Sequence, residues 1–156
     1  MKRPEWWTIA ITAYCVWNAH DLAAAWTDAP YEREAWLCLL IWLSPIAAAV
    51  FAGKRPQPST PLLIAALGLA LSGAATSVNF IGDTGAAVAA AAWTPRHSRQ
   101  AVWLPASILW MPVSGWIAHS LDPMPLLALR ILLSVAASAW YAAAIVRPHF
   151  TEKRIS

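Results

Sequence analysis

Apolar positions gather along the chain into long runs separated by short polar connections. The last run, 124–146 (MPLLALRILLSVAASAWYAAAIV), is long enough to cross a bilayer as a helix at about 1.5 Å per residue. It nevertheless carries Arg130. A guanidinium at membrane depth costs roughly 2.5 to 3.5 kcal/mol on insertion scales. The cost is offset if the side chain snorkels to the interface or meets a carboxylate from a neighbouring helix. The runs before it are 6–25, which turns polar at Asn18, His20 and Asp21, and 35–52, in which Pro45 is expected to kink the helix. Residues 61–95 are either one long span with a tail or two short spans. A turn near 77–83 would make them 61–76 and 78–93. A run at 101–120 holds Pro105 and Pro112, and a minimal turn, 121–123, leads into the last span.

Charge decides between the two counts. With six spans, Lys2, Arg3, Lys54, Arg55, Arg96, Arg99, Arg147, Lys153 and Arg154 share one side, and Arg33 lies opposite. The preference for basic cytoplasmic loops then puts both termini in the cytoplasm, and five spans would split the cluster. The predicted fold class is all-α: an integral membrane bundle of six transmembrane helices, 1–156 forming a single domain in the cytoplasmic (inner) membrane.

Composition agrees. The chain is 59% hydrophobic and 12% charged, too little polar surface for a soluble domain of 156 residues. Its net charge of +3 comes from short loops, so topology accounts for it and nucleic acid is not an expected partner. The lipid bilayer is. Cys15 and Cys38 fall inside apolar runs, which favours packing over a disulfide. The bulky Trp6, Trp7 and Trp17 favour an anchored first helix over a removed signal peptide. Trp6, Trp7, Trp26, Trp36, Trp93, Trp103 and Trp116 lie near predicted span ends, where indole sits well at headgroup level. Gly68, Ser72 and Gly73 offer a close-packing face in the third span.

Candidate chemistry gathers in the outer third of this bundle. Arg130 and Asp21 lie at similar depth and are expected to pair, with Asn18, Asn79, Asp83 and His119 completing a polar cluster. Its two expected roles are fixing helix packing and contacting a ligand. His20, Asp21, His119 and Asp122 carry metal-ligand chemistry but no metal-ligand spacing, so neither metal nor cofactor is expected. No nucleophile and base can be nominated as a pair, and no phosphate loop, dinucleotide fingerprint or HExxH is present, so catalysis is not expected.

From Tyr31 onward the order of features resembles the front part of the exosortase and archaeosortase family of membrane-embedded processing enzymes. An aromatic, polar outer loop precedes the second span and the basic-Pro turn GKRP follows it. A small-residue hairpin runs through Asn79 to Trp93. A basic loop then leads into LPASILWMPVSGWIAHSLDPMPLLALRILLS, with its Met-Pro and Gly-Trp around Met111 to Trp116. The resemblance implies catalytic Cys, Arg and His residues on later helices. Neither Cys15 nor Cys38 lies at the matching position, so no catalytic residue is carried over and a shortened relative that recognises a membrane partner or substrate is implied. The alternative is a small-ligand or proton binding or transport protein. The tryptophan-rich sensory protein family of five-span membrane proteins is similar to the chain in length and in its eleven Trp. A transporter would need a cavity at interrupted helices; a partner-binding component would show a lipid-facing groove of small residues.

Overall fold

The computed structural model describes residues 5–29, 32–54, 57–117 and 120–146. Among them the chain is helical and contains no strand. The helices are α1 (Trp6–Trp17), α2 (Leu22–Asp28), α3 (Trp36–Phe51), α4 (Thr60–Thr76) and α5 (Asn79–Ala91). They are followed by the short α6 (Gln100–Trp103), a 3₁₀ segment (Pro105–Trp110), α7 (Pro112–Ile117) and α8 (Pro123–Val146). Among the described residues one helix, α8, is long and apolar enough to cross a membrane.

The first predicted span is not one helix, and its own polar residues break it. Asn18 brings both its backbone N–H and its side-chain amide to the Tyr14 carbonyl, at 3.1 and 2.9 Å, and a ring nitrogen of His20 lies 2.9 Å from the Trp17 carbonyl. Side chains that bond the local backbone compete with helix propagation. The chain therefore turns at 18–21 before α2 begins. The predicted span at 101–120 is broken as well, and here proline is the cause. Pro105 and Pro112 each stand first in a new segment, where a missing N–H costs nothing. Met111, before Pro112, takes the extended conformation that a following proline favours, φ −82° and ψ 145°.

The turn expected near 77–83 is tighter than that. Ser77 ends α4 in the left-handed region at φ 55°, and α5 already starts at Asn79. The two helices then approach at the level of their backbones. A Cβ on Gly73 would lie 2.6 Å from the Gly82 backbone nitrogen, and one on Gly85 would lie 3.0 Å from the Ala66 carbonyl oxygen. The buried face of α4 is Leu63, Ala66, Ala70 and Gly73. Of the small residues nominated from sequence, Gly73 belongs to it; Gly68 and Ser72 face outward.

This small-residue helix α5 is buried on nearly every side and joins two cores. One packs Cys15 of α1, Ala66 and Ala70 of α4 and Val88 and Ala89 of α5. The other packs Cys38, Trp42 and Ala49 of α3, Trp103, Trp110 and Met111 of the broken segment and Tyr141 and Ile145 of α8, with Ala87 and Ala91 of α5. Cys15 and Cys38 are free thiols in different cores.

Tryptophan builds the second core. The rings of Trp42 and Trp103 stack with centroids 4.3 Å apart and planes 6° apart, and each indole N–H donates to the other residue's carbonyl at 2.9 Å. Tyr141 stacks on Trp103 at 4.8 Å and donates its hydroxyl to the Pro95 carbonyl at 2.6 Å. Trp103 is thus fully buried, against its expected headgroup placement. Trp6 and Trp36 are exposed, whereas Trp7, Trp26 and Trp93 are half-buried. The Trp93 indole donates to the Thr12 hydroxyl at 2.9 Å. The side chain of Trp116 lies outside the described residues.

The glycine geometry gives a paired prediction. Gly→Ala inside a helix ordinarily stabilises by roughly 0.5–1 kcal/mol. A Cβ on Gly68 meets nothing within 4 Å, so Gly68→Ala should leave thermal unfolding in detergent unchanged or raise its midpoint. Gly73→Ala forces two backbones apart and should cost about 1–3 kcal/mol. Equal midpoints for the two variants would contradict the close approach of α4 and α5.

Candidate functional site

Arg130 stands on α8, is 2% exposed, and has its guanidinium turned into the break between the 3₁₀ segment and α7. Its Nε donates to the Leu109 carbonyl at 2.7 Å, and one terminal nitrogen donates to the Met111 carbonyl at 3.2 Å and to the Ser114 hydroxyl. The Leu109 carbonyl lies where two prolines interrupt the helical ladder, while the Met111 carbonyl also accepts the Ser114 N–H at 3.1 Å and the Ser114 hydroxyl at 2.8 Å. The five fixed donors of a guanidinium suit this task, which the single ammonium of lysine would serve less fully.

The same nitrogen donates to Glu32 Oε2 at 2.7 Å, in an ion pair whose side chains are 2% and 5% exposed. Glu32 sits in the short connection before α3. The backbone there passes through the left-handed region at Glu34, φ 69°, and the neighbouring Ala35 is fully buried. Burial is the largest influence on the Glu32 carboxyl and pushes it above its ordinary value. The hydrogen bond and charge of Arg130, and the Gly115 backbone, act the other way. Desolvation of such a pair offsets much of its attraction, so the pair adds little net stability while removal of one partner is costly.

The expected Arg130–Asp21 pair is therefore corrected: the counter-ion is Glu32. Asp21 is too exposed to serve, its side chain being 54% accessible, and it meets His20 Nε2 at 2.9 Å and the Asn79 amide at 3.2 Å. The residue pattern does not single out Glu32, because a loop residue has no helical depth to match. The available signal was that a charge buried at mid-helix requires an opposite charge.

The nominated cluster thus divides. Asp21, Asn79 and Asp83 line a small cavity of about 170 Å³, closed on its far side by Pro112 and Val113. Asp83 is 3% exposed, on the second turn of α5. Asn18 caps its own helix at Tyr14 and holds none of these groups. His119 lies outside the described residues. Among the described residues no group of three or more His, Cys, Asp or Glu side chains is placed to hold a metal ion.

Two cationic loops meet at the other end of α8. The Arg96 guanidinium donates to the Ser59 hydroxyl at 2.8 Å, and the Ser59 N–H donates to the Ala92 carbonyl at 2.8 Å. Arg99 donates to the Trp140 carbonyl at 3.0 Å and lies 4.9 Å above that indole ring. Lys54 and Arg96 line one open cleft here, of about 610 Å³.

Substitutions separate Glu32 from Asp21 as the partner. Arg130→Leu leaves the buried Glu32 carboxylate and the Leu109 carbonyl without the donor they share and should cost about 3–5 kcal/mol. The double variant Arg130→Leu/Glu32→Leu should recover part of that loss, and Asp21→Asn should unfold as wild type does. A double-mutant cycle on denaturation in detergent measures this. Additive losses at Arg130 and Glu32, or a loss in Asp21→Asn matching that of Arg130→Leu, would contradict the assignment. Comparison of the chain with protein-family models, with curated proteins and with solved structures gives no match.

Proposed function

We propose that the chain is a multi-pass membrane protein of the cytoplasmic membrane whose six segments leave both termini in the cytoplasm. In this reading it acts as a non-catalytic, exosortase-like component that recognises a partner or substrate within the bilayer. The observation that carries the membrane part is the inverted polarity of α8. Between the buried Leu126 and Ile145, its buried face presents Arg130, Ser134, Ser138 and Tyr141, with Ser134 at 0% exposure, while Leu132 and Trp140 stand 67% and 58% exposed on the opposite face. Water would select the reverse arrangement; hydrocarbon selects this one. The exposed Ile9 and Val16 of α1, Leu40 and Val50 of α3 and Ile64 and Leu71 of α4 extend the same apolar surface.

Several helices are shorter than a bilayer core of about 30 Å. Their breaks are compatible with membrane depth because irregular backbone is tolerated there when it is buried in protein. Arg130 gives that condition to the break at Met111. Sidedness draws support from α8, where Glu32 meets its first half and the 94–100 loop meets its second.

Partner recognition draws on α4. Ala65, Gly68, Ser72 and Ala75 are exposed together, and the open space over Gly68 admits a second helix closely. A second reading, a small-ligand binding or transport protein, is favoured by a different feature: the interrupted segment 100–117 lends Trp110 to one cavity and Pro112 and Val113 to another.

Single cysteines test the topology, since Cys15 and Cys38 are fully buried. In intact cells with a permeable outer barrier, a membrane-impermeant maleimide should label Arg33→Cys; Ser98→Cys should react only after lysis. The reverse pattern would overturn the proposed orientation. Gly68→Leu should leave the isolated protein as stable as wild type and abolish in-cell photo-crosslinks from position 72. Persisting crosslinks would remove α4 as the docking face.

A further inference from the structure

The cavity of about 170 Å³ between α2, α5 and the start of α7 is lined by two carboxylates in different settings. Asp21 is 54% accessible and already meets the His20 ring and the Asn79 amide. Asp83 is 3% exposed, and no described residue gives it a hydrogen bond or an ion pair. Its oxygens nevertheless stay within reach of a water-sized molecule. The charge that acts on it is that of Asp21, of the same sign, while Arg130 spends its own on Glu32.

A carboxylate withdrawn from water calls for a cation that also donates hydrogen bonds to it. A protonated primary amine combines the two, with three N–H donors on one charge. Volume and wall chemistry narrow the choice. A water takes up about 30 Å³ of liquid, so the cavity accepts a group of several heavy atoms, more than a bare metal ion fills. Hard metal cations call for a shell of oxygen ligands, whereas Leu22, Phe80 and Val113 give this wall apolar parts that suit a carbon skeleton.

We propose that this cavity binds a primary ammonium group on a short apolar skeleton, held by the carboxylates of Asp83 and Asp21. Asp83 is the buried charge partner, and Asp21 is the contact on the accessible side. A free alkylamine and an aminoethyl lipid headgroup present the same chemistry. The proposal rests on the ligand-binding reading above and specifies its ligand class; it does not depend on partner docking at α4.

The test uses the full chain purified in non-ionic detergent at neutral pH, with propylammonium, its neutral isostere propanol and sodium ion as probes. Ligand-detected NMR titration should give propylammonium the higher affinity over propanol by about tenfold, equivalent to about 1.4 kcal/mol. Asp83→Asn keeps the shape, removes the charge and should abolish that preference. Asp21→Asn, at an accessible position, should weaken propylammonium about two- to fivefold with an unchanged unfolding midpoint. That variant keeps the test decisive should Asp83→Asn fail to fold. Glu34→Gln removes an exposed acid outside the cavity and should change neither affinity; a loss matching that of Asp83→Asn would reduce the effect to net charge and overturn the site. Phosphatidylethanolamine in mixed micelles should displace propylammonium, with phosphatidylcholine inactive, where the natural source is a lipid headgroup. Displacement by neither lipid assigns a free amine, and displacement by both would overturn ammonium recognition. Displacement by equimolar sodium would assign the site to an inorganic ion and overturn the organic ligand. Equal affinities for propylammonium and propanol would overturn carboxylate recognition while leaving a ligand cavity. Failure of every probe to bind folded protein would overturn the ligand-binding reading with it.

Discussion

A backbone that stops being helical in a low-dielectric setting must find donors for its carbonyls, and Arg130 supplies one to Leu109 and adds one to the Met111 carbonyl that Ser114 already bonds, where prolines open the ladder. The geometry is economical in one respect. A single side chain reaches two carbonyls, holds the Ser114 hydroxyl in the first turn of α7 and meets Glu32 from the loop before α3. Three separate parts of the sequence are therefore fixed to α8 by one planar group. Its charge, a liability when considered on the α8 sequence alone, strengthens every hydrogen bond it makes.

The partner of that charge follows from burial. An exposed acid such as Asp21 stays solvated and gains little from a distant cation, whereas Glu32 gives up its water on folding and requires the guanidinium in exchange. Because desolvation is the largest influence on the Glu32 carboxyl, the pair contributes mostly specificity: it sets which loop closes over α8 and in which register. The indole pair Trp42–Trp103 fixes α3 against the segment leading to the break through reciprocal carbonyl bonds. The polar lock and the aromatic lock lie on opposite sides of Met111, so the irregular stretch is held at both ends.

Much of the helical layout was legible in the residues. The runs at 35–52, 61–76, 78–93 and 124–146 became α3, α4, α5 and α8 with small changes at their ends, because an apolar run bounded by proline, glycine or a polar cluster has few other outcomes. The misjudged runs were those carrying hydrogen-bonding side chains or prolines inside them. Hydropathy averages over Asn18 and His20, but the Tyr14 and Trp17 carbonyls respond to them individually. The site was legible by half. Arg130 could be singled out because its residue type conflicts with its surroundings; Glu32 could not, because loops carry no periodicity that fixes where their side chains point. Trp103 went wrong for a related reason: an indole suits a headgroup layer and a buried stack equally, and only the acceptor available to its N–H separates the two.

Small residues explain how so short a chain encloses both a packed core and a cavity. Along α5 the side chains of Gly82, Gly85, Ala86, Ala87 and Ala89 occupy almost no volume, so α4 comes to backbone contact on one side. On the side toward α2 and parts of α1 and α3, Ala86 and Ala90 leave an open cleft. Trp17 and Trp26 border it, with the core tryptophans Trp42 and Trp110 behind them. Bulkier residues on α5 would fill that gap, but its narrow waist at Gly73 and Gly82 could not then form. Tight packing against α4 and the open cleft beside Ala86 and Ala90 are thus two results of one composition, which makes α5 the element that sets the width of that cleft.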